Sequence, residues 1–530
     1  MMWMLVLGLG CGDKDTTADV DTDTEDTGPE TDTDAPLCDG DVLEDDLEIN
    51  TAAEAESFCA DYTTITGELT VSGLDTLEGL SCLCGAGTLT LTDTALTDLS
   101  TLPPLQELGA LVIDDNPSLT SLTGIEGLPG YPDLSATALT IEDNDVLTSL
   151  AALTSLSRVA ALTLDDNPAL TSLGGLSGLT TVDGALIIDD LDGLTDLSGL
   201  ESLASAGSLA LIGDDSLTDL SALGGLTTLG GLYLESNDDL RTLAGLAPVG
   251  PMAGDLTLQS NLQLTDIDAI SGITSVGGDL EVINNGTLPD VDGLSGVTSI
   301  GGELVISTNG FLANVDGLGS LSGPVDNLSV QSNVSLGSLA GLSGISEVTG
   351  ALTISLNDQL PDLVGLDGID EVGEDILIDQ NPSLLTLGGL ESLEQVGGSL
   401  TVNDNAQLVD MDGLTSLWEI GGDLYLYYNR DQVSVEGLSA LQGIGGQLFM
   451  KWLPVTHLTG LELLERIDGD LYIRGNNDLV DIDALAERVS WVGGDLEITF
   501  NPLLTNSSAW SVVYAIGEEN IQGAITIASN

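Results

Sequence analysis

Along most of the chain the apolar residues recur on two nested spacings. Locally they alternate, as Leu-x-Ile or Leu-x-Val, so that side chains two apart share one face, as a strand with one inward side requires. A few residues later they stand three apart in Leu-x-x-Leu-x-Gly-Leu, which turns the chain and supplies a second inward wall. The whole phrase, Gly-Gly-Asp-Leu-x-Ile-x-x-Asn-x-x-Leu-x-x-Leu-x-Gly-Leu-x-x-Leu-x-x-Val, then repeats. Its first strand residue falls at Leu232, Leu256, Leu280, Leu304, Leu328, Leu352, Ile376, Leu400, Leu424 and Leu448, a period of 24 without a slip. Looser spacing keeps the phrase upstream at Leu69, Leu89, Leu111, Leu139, Leu162, Leu186 and Leu209, and downstream at Leu471, Leu496 and Ile525.

A unit this short cannot enclose a core, so each must bury its apolar edge against its neighbours, and the expected architecture is a stacked solenoid. About 20 coils at ~4.8 Å per rung give a rod ~95 Å long. The solenoid is expected over 67–505, after a cysteine-bearing cap over 38–66 and before a C-terminal cap over 506–530. In that last segment Asn506 to Ile516 reads as a short capped helix with a bulky apolar face, covering the last coils and shielding the core edge.

Two polar features travel with the repeat. Asn stands five residues after the strand Leu at Asn116, Asn144, Asn167 and in nearly every coil from Asn237 to Asn501. A side chain that both donates and accepts can satisfy turn backbone rung after rung, so these residues are structural. Glycine pairs such as Gly277-Gly278 and Gly421-Gly422 read as tight turns before each strand. No Lys follows them, which separates them from phosphate loops.

The phrase Gly-Asp-Leu-x-Ile-x-x-Asn-x-x-Leu, preceded by the segment from Cys38-Asp-Gly-Asp-Val to Cys59, resembles the receptor L-domain type of leucine-rich solenoid. That type forms the ligand-binding ends of insulin and EGF receptors, and similar repeats occur in fungal cell-wall proteins and bacterial surface lipoproteins. The resemblance covers most of residues 38–530 and implies a right-handed β-solenoid with a parallel sheet. It brings no shared catalytic residue, and the architecture does not fix a function.

Charge changes the picture next. Among 530 residues, 86 Asp and Glu face 8 Lys and Arg, a formal charge of -78. Nucleic acid is excluded as a partner, because phosphate binding needs a basic footprint, and anionic membrane surfaces are disfavoured likewise. Salt or divalent cations, calcium among them, should matter to such a self-repelling chain. The acid pairs Asp114-Asp115 and Asp165-Asp166 nevertheless read as solvated turns before they read as a cation site, and no cofactor is called. With 42% apolar residues the chain has enough to bury and folds.

The segment from Met1 to Cys11 is a short apolar run ending in small residues before a cysteine, and it resembles a bacterial lipoprotein signal peptide with Cys11 as the lipidated residue. Residues 12–37 offer almost nothing to bury and read as an extended acidic linker. Four further cysteines, Cys38, Cys59, Cys82 and Cys84, lie at the start of the folded part of a chain read as exported. Disulfides are expected, three pairings are possible, and Cys38 with Cys59 is favoured as closing the end of the solenoid. Zinc is the competing reading, but His457 is the only histidine in the sequence.

One block breaks the monotony. The outward strand position reads Thr257, Glu281, Val305, Ser329, Thr353, Leu377 and Thr401, then Tyr425, Phe449 and Tyr472. The next outward position gives Tyr427, Lys451 and Arg474, with Tyr428, Trp452 and Arg430 close by, and Leu453 replaces the expected Asn. Rigid rings beside a few cationic groups suit carbohydrate or protein recognition, because they give contact area at little entropic cost. Catalysis needs a nucleophile with a base, an acid–base pair in a cleft or a metal centre, and the repeat offers none, so no enzyme is expected. The sequence therefore points to a monomeric recognition or adhesion protein, lipid-anchored at a bacterial cell surface or outer membrane, with a protein or glycan ligand. The alternative is a structural acidic rod of the envelope without a specific ligand.

Overall fold

The computed structural model describes residues 40–246 and 249–530. Cys11, the acidic segment 12–37 and Cys38 lie outside the described residues. The described chain is a leucine-rich parallel β-solenoid whose rungs build one 23-stranded sheet, with a second, 8-stranded sheet behind it.

A single coil shows how the sequence does this. In the strand Leu280–Ile283, Leu280 and Val282 are buried while Glu281 and Ile283 stay half-exposed, as alternation dictates. Asn284 then takes a left-handed backbone, which turns Asn285 inward. Leu288, Val291, Leu294, Val297 and Ile300 complete the inward wall, with a 3-10 turn at Asp292–Leu294. Successive rungs pair in register, Leu256 with Leu280 and Leu280 with Leu304. Identical inward positions therefore stack into continuous apolar columns.

The corner is held by a ladder of amides. The Asn309 side chain reaches back one rung: its Oδ1 accepts from the Asn285 N–H at 2.9 Å and its Nδ2 donates to the Val282 carbonyl at 2.7 Å. The same pattern recurs at Asn333, Asn357, Asn381 and Asn405. Every one of these residues is fully buried, so each amide satisfies two backbone groups that water cannot reach.

Thr94, Leu191, Asp214 and Leu453 interrupt the Asn series, and position 214 has consequences. Asp214, fully buried, occupies the Asn place. Its Oδ1 accepts from the Leu191 N–H at 3.0 Å, as an amide oxygen would. Its Oδ2 has no partner, and neither has Oδ1 of Asn237 on the following rung. Burial first, and then the neighbouring Asp189, Asp190 and Asp192, push its carboxyl up to about 8, against the pull of the Leu191 N–H. At neutral pH Asp214 is therefore largely protonated and presents an O–H where its counterparts present an N–H.

The glycine pairs serve a different purpose from the one their spacing suggests. Gly277, Gly278, Gly421 and Gly422 are absent from the left-handed region. A Cβ at Gly277 would collide with the Ala253 carbonyl, and one at Gly421 with that of Gly397. Close stacking of backbone on backbone, rather than turn geometry, keeps the first glycine of each pair bare, while Gly278 and Gly422 leave room for the Asp255 carboxylate and the Ser399 hydroxyl.

The N-terminal end differs from expectation. The sheet begins inside the segment expected as a cap, because Asp41–Leu43 and Leu47–Ile49 pair with Tyr62–Val71. Between them the helix Ala52–Asp61, capped by Thr51, buries Ala55 and Phe58. The favoured pairing of Cys38 with Cys59 is incorrect: Cys59, on this helix, is bonded to Cys82, and Cys84 is disulfide-bonded as well. The bridge thus ties the helix to the next coil rather than closing the chain's first loop. At the other end the helix Asn506–Ile516 packs on Leu485–Arg488. The sheet then continues past it to one more strand, Ile525–Ala528. Asn530 closes the ladder by accepting from the Asn501 N–H.

Two outcomes follow for stability. Asn333→Leu strands a buried N–H and a buried carbonyl of the preceding rung, and chemical denaturation should show a loss of ~2–4 kcal/mol at that interface. For Asp214 the folded-state pKa lies above its unfolded value, so the folded state binds the extra proton between roughly pH 4 and 8 and stability falls as pH rises through that window. Asp214→Asn should therefore raise the melting temperature at pH 9 by an amount worth ~1–3 kcal/mol, and the gain should vanish near pH 4 in melts recorded across that range.

Candidate functional site

On the outward face of the rungs starting at Leu424, Leu448 and Leu471, three side-chain columns run along the solenoid. Register places Tyr425 beside Phe449 and Phe449 beside Tyr472, and likewise Tyr427 beside Lys451 and Lys451 beside Arg474. The third column is the left-handed corner, filled here by Tyr428, Trp452, Gly475 and Phe500. The structure therefore brings together all of the expected aromatic residues of this block. Arg430 sits in the exposed turn after Asn429 and makes none of the ring contacts found among the described residues.

The rings form one connected surface. Centroids of Tyr425 and Phe449 are 5.8 Å apart, those of Phe449 and Tyr472 6.3 Å, and Tyr427 meets Phe449 edge-on at 6.1 Å. Tyr428 lies 4.4 Å from Trp452. Such pairs add modestly to area burial, ~0.5–1.5 kcal/mol each. None of the rings is buried in the core: Tyr425, Tyr427, Phe449 and Tyr472 are half-exposed, while Tyr428, Trp452 and Phe500 are 40%, 42% and 51% exposed. The C-terminal helix packs instead on Leu485–Arg488 and on the last strand, Ile525–Ala528.

Polar groups are placed by the same columns. Lys451 Nζ lies 3.4 Å from the centre of the Trp452 ring, and the Arg474 guanidinium 5.1 Å from that of Phe500. Arg474 also approaches Glu497 at 3.6 Å. The Tyr425 hydroxyl donates to Asp423 at 2.9 Å and accepts from Gln447 Nε2 at 2.6 Å. Burial, and then the bond to Asp423, raise the Tyr425 hydroxyl above its usual range; burial and Asp470 do the same for Tyr472, and burial and Asp379 for Tyr427. All three remain neutral phenols. A shallow cavity of about 430 Å³ is lined by Thr401, Tyr425, Tyr427, Tyr428, Phe449, Lys451 and Trp452.

Phe500, Gln447, Asp423 and Gly475 escaped the sequence reading. A side chain at Gly475 would come within 3.0 Å of the Trp452 ring, so this glycine leaves room for the indole to lie across the next rung. The signal was present in the period: 428, 452, 475 and 500 occupy one register position. A larger cavity, about 560 Å³, lies among the first coils, with Glu107 the one carboxylate in its lining of mostly small side chains.

The acid pairs have a companion the sequence reading passed over. Carboxylates of Asp165, Asp189 and Asp190 come within 4.8 Å of one another on adjacent rungs. Burial, then Asp165, Asp190 and Glu235, push Asp189 up to about 6. The acids of this array raise one another's affinity for protons, and no Lys or Arg is paired with them among the described residues.

No family model and no curated protein matches the chain. Among solved structures it is similar to a leucine-rich-repeat protein of Leptospira interrogans, at 16% identity and a TM-score of 0.36, over 91% of this chain and all of that one. It is also similar to an internalin of Listeria monocytogenes, at 14% identity and a TM-score of 0.23, over 91% of this chain and 90% of that one. A third is the TLR13–ssRNA13 complex, at 12% identity and a TM-score of 0.28, over 91% of each chain.

Because the rings stand outside the core, the triple substitution Tyr425→Thr, Phe449→Thr and Tyr472→Thr should shift the melting temperature by no more than ~2–3 °C. A differential scanning calorimetry trace of the variant beside the parent checks this.

Proposed function

We propose that this chain is an exported, lipid-anchored recognition protein of a bacterial cell envelope that holds a protein or glycan ligand on its aromatic face. One observation carries the reading. The corner after each strand has positive φ, and across the repeat it is filled mostly by Asp, Asn, Ser or Gly, which tolerate that backbone. Bulky apolar residues take it at four rungs: Leu356, Tyr428, Trp452 and Phe500, with φ of 56° to 59°. Three of the four are aromatic and belong to this block. A left-handed backbone costs an ordinary side chain roughly 1–2 kcal/mol, and an exposed ring recovers little of that from the core. Local strain carried by outward-facing side chains on neighbouring rungs is the mark of a surface kept for contact.

Cys11 as the lipid attachment and 12–37 as the tether belong to the same proposal and rest on sequence alone. The role is binding by a monomer, without chemistry. No helix of the described residues is long and apolar enough to cross a membrane, so in this reading the lipid is the anchor. The second reading, a stiff acidic spacer without a ligand, draws on the unpaired carboxylate array around Asp189, whose charge would hold neighbouring surfaces apart.

The test is a screen of the full chain and its Tyr425, Phe449, Tyr472 triple-Thr variant against arrays of glycans and surface proteins, with and without calcium. A ligand bound by the parent and lost at least ~10-fold in the variant is the expected result. Equal binding by both would move the ligand away from the aromatic face and overturn this reading, and binding by neither would leave the acidic spacer as the account.

A further inference from the structure

We propose that the ligand of the aromatic face is a neutral carbohydrate chain lying along the ring columns, an inference that rests on the recognition role above. The charges around the rings select the class. An anionic polymer meets the field of a chain with a formal charge of -78, and meets Asp379, Asp423, Asp470, Asp495 and Glu497 around the rings themselves. The two cations on the face are already engaged, Lys451 by the Trp452 ring and Arg474 by Phe500 and Glu497. A cationic ligand fares no better at the cavity. The ring face that would hold it, Trp452, is occupied by the chain's own ammonium group at 3.4 Å, and like charges repel. A ligand attracted by negative charge alone would also have no reason to prefer these rungs over the acid array around Asp189.

What remains is a neutral molecule that offers apolar C–H faces to rings and hydroxyl donors to carboxylates. The face provides both kinds of partner side by side. Asp423 accepts from the Tyr425 hydroxyl and Gln447 donates to the same hydroxyl, so a polar acceptor and an amide are held at the edge of a ring. Tyr472 repeats the arrangement with Asp470 two rungs on. Rings recur along the column at 5.8 and 6.3 Å, and Trp452 and Tyr428 flank that column. An open run of rings repeated from rung to rung suits a polymer of repeating units, whereas a compact small molecule would be enclosed on few sides.

The test is native affinity electrophoresis of the full-length chain in gels cast with soluble neutral polysaccharides (β-glucan, xylan, galactomannan) and, separately, with polygalacturonate or hyaluronate. Expected is retardation by at least one neutral polymer, weakened ~10-fold or more in Trp452→Ala and in the triple-Thr variant and kept in Tyr233→Thr, which lies outside the block. A circular dichroism melt of each variant confirms that it is folded. Retardation by the anionic polymers alone overturns the neutral assignment. No retardation by any polysaccharide, while Trp452→Ala loses a protein ligand found in the surface-protein array, overturns the carbohydrate proposal and leaves the recognition role standing. Binding to every ligand that is indifferent to both variants overturns the two together.

Discussion

A solenoid stands or falls on what happens to the backbone groups at its corners, where neighbouring rungs are too close for water to enter. In this protein the Asn side chain meets that demand by reaching back to the N–H and the carbonyl of the previous rung. Other regularities follow from it. The left-handed corner residue exists to turn the Asn inward, the rungs must stay in register for each amide to find its partner, and the constant period of 24 is the sequence-level trace of that register. Asp214 shows the demand in another form: where a carboxyl group replaces the amide, burial makes it keep its proton.

Part of the acidity has the same origin. Asp255 accepts from the Asp279 N–H, Asp279 from the Glu303 N–H, Asp375 from the Ser399 N–H and Asp423 from the Gln447 N–H, which makes a second ladder where each strand begins. A further set of acids serves the 3-10 turns, as Asp266 does for the Asp268 N–H and Asp410 for the Asp412 N–H. A short acceptor-only side chain is well suited to orphan N–H groups. Repeated at several rungs, it leaves a surface with few counter-charges. Part of the net charge is thus a by-product of backbone satisfaction.

The period, the inward positions, the Asn series and the two outward strand columns of the aromatic block were legible in the sequence because each depends on residue type at a fixed position of the repeat. What escaped depends on contact between rungs. Gly277 and Gly421 look like turn residues until the carbonyl of the previous rung is seen where a Cβ would stand. Cys59 and Cys82 meet because the helix Ala52–Asp61 lies over the next coil, which spacing alone does not reveal. Asp214 reads as one more surface acid in a chain full of them, and its burial appears only with the fold. Phe500 stands four residues after Leu496, in the corner column, and its place beside Arg474 appears only with the fold.

The left-handed corner column also separates two kinds of information in the chain. Inward residues and corner amides specify how a rung stacks, and they are nearly the same everywhere. The outward residues at 425, 427, 428 and their equivalents specify only what that rung displays. The contents of the display can then be rewritten, or moved along the axis in steps of one rung, ~4.8 Å at a time, without editing the instructions for folding. Evolution of a new specificity in such a chain is a matter of address: which rungs carry the rings, and in what order.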